Sequence, residues 1–239
     1  MQNKHDIRPG CFWYDAYQQW GPANVKWCEA TRCSAITEPV NTWSNLSYII
    51  LGIVMLMLAV RSGKAIMRIF GPASIITGIF SGIYHASNNF LTQFGDFFAM
   101  YVFVAIPMVL NMRRLGKVNE NNQYLWYLVW VVALSAITPV VHFSKIIPIQ
   151  ALVLFCVIFV IVTEFMLYKR ARTKPQYKFF IGSIFFITAG AGFSALDVTR
   201  TLCMPYSIIQ GHAMWHCLSA ISLFVLYHFY NQFNFSELD

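Results

Sequence analysis

The sequence has 239 residues, 57% of them hydrophobic and 11% charged, with a formal charge of +7 and a mean hydropathy of +0.53. A soluble surface draws on about 25% charged residues, so these are too few to coat a water-soluble domain. The basic excess sits in short stretches between apolar runs, where it reads as a membrane-topology signal rather than a nucleic-acid-binding surface.

Residues 1–42 form an amino-terminal segment carrying Lys4, Asp6, Arg8, Asp15, Lys26, Glu29, Arg32 and Glu38. It contains no apolar stretch of signal-peptide type, so its export is expected to depend on the first spanning helix. Apolar runs at 43–61, 66–86, 94–112, 123–142, 147–168, 178–196 and 207–230 are each long enough, or nearly so, to cross the bilayer as helices. They are continuous and lack the alternation of a barrel strand. Gly78 and Gly82 lie four apart in the second run, and Gly190-Ala191-Gly192 thins the sixth. Both allow close helix approach. The sequence therefore predicts an all-α membrane protein with seven transmembrane helices over 43–230, and a tail at 231–239.

The links alternate in charge. Those after the first, third and fifth runs hold Arg61, Lys64, Arg68, Arg113, Arg114, Lys117, Lys169, Arg170, Arg172, Lys174 and Lys178. The opposite links hold only Lys145 and Arg200, with Arg200 balancing Asp197. The positive-inside rule then puts the amino terminus outside and the carboxyl terminus in the cytoplasm. Cys11, Cys28, Cys33 and Cys203 fall outside on this topology and permit two bridges in three pairings, with a metal cluster as the competing account. Cys156 and Cys217 fall within spans.

Polar side chains are expensive in lipid, which singles out Ser81, His85, Asp96, His212 and His216. Ser81 and His85 share a face near the end of the second span, Asp96 opens the third, and His212 and His216 are one turn apart in the seventh. The topology brings these positions to one side of the membrane. Three imidazoles from two helices match a catalytic zinc site with one position left for water. Zinc lowers the pKa of that water to about 7. Asp96 could then take its proton, and Ser81 could donate to an oxyanion. The plainer alternatives are histidines lining a polar cavity, Ser81 as a packing residue and Asp96 as a helix cap. Glu164 is expected to pair with a cation of the basic link that follows it. His5 and His142 have no evident partner, His228 reads as interfacial at the inner end of the seventh run, and Trp43, Trp126, Trp130 and Tyr227 read as interface anchors or packing.

The polar set resembles the superfamily of seven-span membrane hydrolases that includes alkaline ceramidases, adiponectin and progestin receptors, and lipid-remodelling proteins acting on GPI anchors. Ser81-Gly82-Ile83-Tyr84-His85, Asp96, and His212 with His216 follow its order. Trp27-Cys28-Glu29 and Glu38-Pro39-Val40-Asn41-Thr42-Trp43-Ser44-Asn45 resemble the segment that leads into the first span of alkaline ceramidases. The resemblance implies a zinc-dependent amidohydrolase acting on ceramide or a similar membrane lipid. His85, His212 and His216 would hold zinc, Asp96 would engage the water and Ser81 the oxyanion. It also implies a Cys28–Cys203 bridge and makes Glu29 and Glu38 candidate calcium ligands. There the chain departs from the family, with Lys26 and Thr31 where an acidic residue and an asparagine are usual, so that Lys26 competes with calcium for these carboxylates. A lipid esterase, or a lipid-sensing receptor with a structural zinc, is the alternative. The short loops suit a bacterial inner membrane with a periplasmic site; a eukaryotic endomembrane with a lumenal site is the other location.

Overall fold

A computed structural model describes residues 7–171 and 174–235. Lys4, His5 and Asp6, Arg172 of the fifth link, and residues 236–239 of the expected tail lie outside the described residues. The helices are α1 (Tyr14–Trp20), α2 (Pro39–Ser44), α3 (Leu46–Ser62), α4 (Phe70–Ser87), α5 (Phe90–Arg114), α6 (Gln123–Ser144), α7 (Gln150–Arg170), α8 (Lys178–Val198) and α9 (Gly211–Tyr230). A 3-10 turn at Ala65–Ile69 leads into α4. Seven stretches are long and apolar enough to cross a membrane: Pro39–Ser62, Ala65–Ser87, and each of α5 to α9. That number agrees with the hydropathy pattern. Large apolar side chains such as Leu125, Val132 and Val140 on α6 and Ile181 and Phe185 on α8 are exposed, as a bilayer-facing surface requires.

Local chemistry moves three helix starts away from the hydropathy boundaries. The first span begins at Pro39, where proline suits the first helical turn. Asn89 caps α5, its side chain accepting the Thr92 N–H at 3.2 Å. α4 has just ended on Asn88 in the left-handed region at φ 52°. The two helices are thus joined by a two-residue turn, and Asp96 lies inside α5 rather than capping it. α9 begins only at Gly211, where the Asp197 carboxylate of α8 accepts the His212 N–H at 3.1 Å.

α5 is the most deeply embedded span. It packs on α4, α6 and α7, while α3 packs on α4 and α9, and α9 on α8. α7 and α8 are not among the closely packed pairs. The α3–α4 crossing depends on glycine. A Cβ on Gly71 would lie 2.7 Å from the Gly52 carbonyl oxygen, and one on Gly78 would lie 2.8 Å from that of Asn45. At the end of the bundle remote from α2, Arg114 of α5 pairs with Glu164 of α7, and the Tyr177 hydroxyl donates to the same carboxylate at 2.9 Å. The cation that pairs with Glu164 therefore comes from the third span, because α5 and α7 are packed there, while the link after α7 contributes the Tyr177 hydroxyl.

The amino-terminal segment is stitched across the α2 end of the bundle. Disulfides join Cys28 to Cys203 in the α8–α9 link and Cys11 to Cys33. The Ala30 N–H bonds to the Pro205 carbonyl at 2.9 Å, and the Phe90 N–H to that of Gly21 at 3.1 Å. Thr37 and Glu38 donate their N–H groups to the carbonyls of Ala86 and His85, at 3.0 and 3.1 Å. The segment thus covers the ends of α4 and α8 and the starts of α5 and α9.

Candidate metal centre

His85, His212 and His216 meet beneath this cover. All three are buried, and one ring nitrogen from each lies within 4.8 Å of the others. The Nε2 atoms of His85 and His212 are 3.2 Å apart. Helix spacing places His212 and His216 on one face of α9, and the α4–α9 juxtaposition brings in His85.

The opposite nitrogen of each ring is held from outside the cluster. His85 Nδ1 lies 2.8 Å from Glu38 Oε2, and a carboxylate there accepts the Nδ1–H. His216 Nδ1 lies 2.7 Å from Ser44 Oγ. That hydroxyl gives its own proton to the Asn41 carbonyl at 2.9 Å, so it accepts from the imidazole. His212 Nδ1 is 3.1 Å from Ser194 Oγ. His85 and His216 therefore carry their protons on Nδ1 and turn Nε2 lone pairs inward. Outer partners that fix the tautomer are what a histidine metal ligand needs. Trp27 stacks on His212 with ring centroids 3.4 Å apart and planes 10° apart, which fixes the third ring.

Asp96 and Ser81 lie beside this cluster. The Ser81 hydroxyl neighbours the Asp96 carboxylate. Both line a cavity of about 720 Å³ together with His212 and His216. Its remaining wall is mainly apolar, with Val153, Leu154 and Val157 of α7 and Ile187, Ala191 and Val198 of α8. The cavity thus extends between these two loosely packed helices. A long apolar chain attached to a small polar head fits such a chamber.

Glu29 and Glu38, the candidate calcium ligands, are both buried and both engaged with protein donors. The Glu29 oxygens accept the backbone N–H groups of Val40 and Asn41, each at 2.8 Å, at the first turn of α2. Burial pushes the Glu29 carboxyl up from its usual range, and those N–H bonds draw it back. Besides His85, Glu38 accepts the side-chain amides of Asn41 and Asn88, each at 3.1 Å. Burial pushes Glu38 up to about 8; the Asn41 amide pulls against this, Asp197 adds to it, and Lys26 and Arg200 oppose it. The fit to calcium is poor: hard cations require free oxygens, and here the carboxylate oxygens are taken up by N–H donors and balanced by protein cations.

The sequence reading named the three histidines, Ser81 and Asp96, and the structure brings all five to one end of the bundle. It missed Ser44, Ser194 and Asp197. Asp197 looked merely balanced by Arg200. It is fully buried, accepts the Cys28 N–H at 2.7 Å as well as that of His212, and ties the disulfide to the first turn of α9. A carboxylate one residue from the end of an apolar run was the available signal.

The profile of the family described as "Ceramidase" matches residues 21–238. A protein named "Alkaline ceramidase" from Drosophila melanogaster is 26% identical over 224 residues, covering 88% of this chain and 78% of the fly protein. With its metal-binding histidine triad, its seven long apolar helices and a family match over nearly its whole length, this chain belongs to the ceramidase family.

Proposed function

We propose that this protein is a zinc-dependent amidohydrolase that cleaves the N-acyl bond of ceramide or a similar lipid, giving a sphingoid base and a fatty acid. The observation that carries the reading is the set of inward-facing imidazole nitrogens, oriented from behind, at the polar end of an apolar cavity. Two nitrogens bound to one tetrahedral zinc ion stand about 3.3 Å apart, from Zn–N bonds of about 2.0–2.1 Å. The 3.2 Å between His85 Nε2 and His212 Nε2 supports zinc. The name of the fly relative supports ceramide as the first substrate to assay.

When bound, zinc supplies a Lewis acid that acidifies water to a pKa near 7. The Asp96 carboxylate takes the proton of the attacking water as its oxygen adds to the amide carbon. It then returns that proton to the nitrogen as the C–N bond breaks. Ser81 holds Asp96 in place from one turn before His85. The cover over the site and the apolar wall limit bulk water. Residues 43–230 form the hydrolase domain on this reading, with segment 1–42 outside and tail 231–239 in the cytoplasm. The site then faces the periplasm of a bacterial inner membrane, or the lumen of a eukaryotic endomembrane.

The test is purified protein in lipid, assayed for metal content and for fatty acid released from an N-acyl sphingoid lipid, beside a lipid ester panel. About one zinc per chain is expected, with His212→Ala losing it. Asp96→Asn keeps zinc and loses about 10²–10⁴-fold in turnover. Full zinc without hydrolysis of any amide or ester points instead to a lipid receptor with a structural metal. Removal of calcium by a selective chelator leaves activity unchanged, because Lys26 and Arg200 already balance the buried carboxylates; a loss of activity restored by calcium contradicts this.

A further inference from the structure

Two N–H groups converge on the Tyr84 hydroxyl. Trp27 Nε1 donates to it at 3.2 Å and Gln93 Nε2 at 3.3 Å. Neither bond can run the other way. An indole nitrogen only donates. The Gln93 amide cannot be flipped, because its Oε1 accepts the Asn24 backbone N–H at 2.8 Å, leaving the nitrogen to face Tyr84. The phenol oxygen therefore spends its acceptor capacity on protein groups, and its own proton must go elsewhere. Among the described residues no acceptor takes it. Tyr84 is 2% exposed and lines the cavity. Trp27, which donates to it, stacks on His212, so the hydroxyl belongs to the polar end of the chamber.

Ser81 precedes Tyr84 by three residues on α4, on the same helical face, and lines the same cavity. Its hydroxyl neighbours the Asp96 carboxylate. A donor beside a carboxylate has a competing acceptor for its proton, whereas an O–H without an acceptor of its own is free to follow charge that develops on another oxygen. We propose that the Tyr84 hydroxyl, rather than Ser81, is the protein donor to the substrate's carbonyl oxygen, holding the negative charge that gathers there as water adds. This rests on the hydrolase reading above. Trp27 and Gln93 are then positioning residues that turn the phenol proton toward the substrate, and Asn24 holds Gln93 in register.

Turnover, metal content and a direct view of the carbonyl test the proposal. Tyr84→Phe keeps the ring but removes the donor. It is expected to lower kcat by about 10²–10³-fold with zinc content and KM close to wild type. Ser81→Ala retains more activity than Tyr84→Phe. A wild-type kcat in Tyr84→Phe overturns the proposal. The substitution also leaves the Trp27 and Gln93 donors without their acceptor, so Trp27→Phe is added to the same chain to remove one of them. A double variant as slow as Tyr84→Phe supports the donor role, and recovery to wild-type turnover overturns it. In an Asp96→Asn background, the infrared carbonyl band of a bound ¹³C-labelled N-acyl sphingoid lipid should move to higher wavenumber when Tyr84→Phe is added. An unmoved band overturns the contact. A band that depends on Tyr84 in a chain whose wild type hydrolyses nothing leaves the contact standing while the hydrolase reading fails.

Discussion

Glu38→Gln isolates the link between the amino-terminal segment and the metal centre. Glu38 accepts from His85 Nδ1 at 2.8 Å and from the Asn41 and Asn88 amides, each at 3.1 Å. Glutamine keeps the length of the side chain but replaces one acceptor oxygen with a donor and, above the raised Glu38 pKa of about 8, removes a charge, so both proteins are compared above pH 8. At least one of the three donors then faces an N–H₂ group. If its oxygen stays on His85, the bond remains but is no longer charge-assisted, a change of about 1.5 kcal/mol from the upper to the middle of the usual range. Loss of an outer partner of a metal-bound histidine typically lowers affinity about 10–100-fold, or about 1.4–2.7 kcal/mol. The two routes agree, so a zinc affinity about tenfold weaker is the minimum expected. The Glu38 N–H still bonds to the His85 carbonyl, so the covering segment should remain in place. Ser44→Ala serves as the neutral counterpart, since the Ser44 hydroxyl is an uncharged partner of His216. Its cost is about 1 kcal/mol, a fivefold change. Zinc competition against a chromophoric chelator in detergent measures both. Wild-type affinity in Glu38→Gln, or a larger loss in Ser44→Ala, would show that the carboxylate does not orient His85.

Arg114→Ala leaves Glu164 buried without its cation and should cost about 3–5 kcal/mol in thermal unfolding, with much of this regained on adding Glu164→Gln. An unchanged melting temperature in the single variant would contradict the buried pair. Gly71→Ala places a Cβ 2.7 Å from both the Gly52 carbonyl oxygen and the Leu56 Cβ, so α3 and α4 must separate. A loss of about 1–3 kcal/mol is expected from such overpacking, and none at all would mean that the helices cross less closely. Cys203→Ser opens the bridge to Cys28 and should cost about 2–5 kcal/mol. Limited proteolysis should then cut the segment before α2 faster than in wild type, and equal rates would show that backbone bonds alone hold the cover.

The sequence carried the spans because burial in lipid requires long apolar runs, a local property. It carried the five polar site residues because each is costly in such a run. Helix starts were less legible. Hydropathy places the third span at 94, whereas Asn89 starts the helix at Phe90 through a single side-chain bond to Thr92. The partner of Glu164 was misjudged because the nearest cations in sequence follow α7, whereas the packed neighbour is α5.

What the sequence alone determined was membership of a bilayer, the helix number and the residue types of the metal centre, all set by composition and short-range spacing. Only the tertiary structure decided which nitrogen of each imidazole faces inward and which hydroxyl has a proton to spare. Glu38 and His85 are 47 residues apart, and Ser44 and His216 are 172 apart. The Tyr84 oxygen is occupied by donors from the amino-terminal segment and from α5. Each tautomer and each hydroxyl direction follows from the other bonds its partner already makes, and that sum is complete only when distant segments have been packed together.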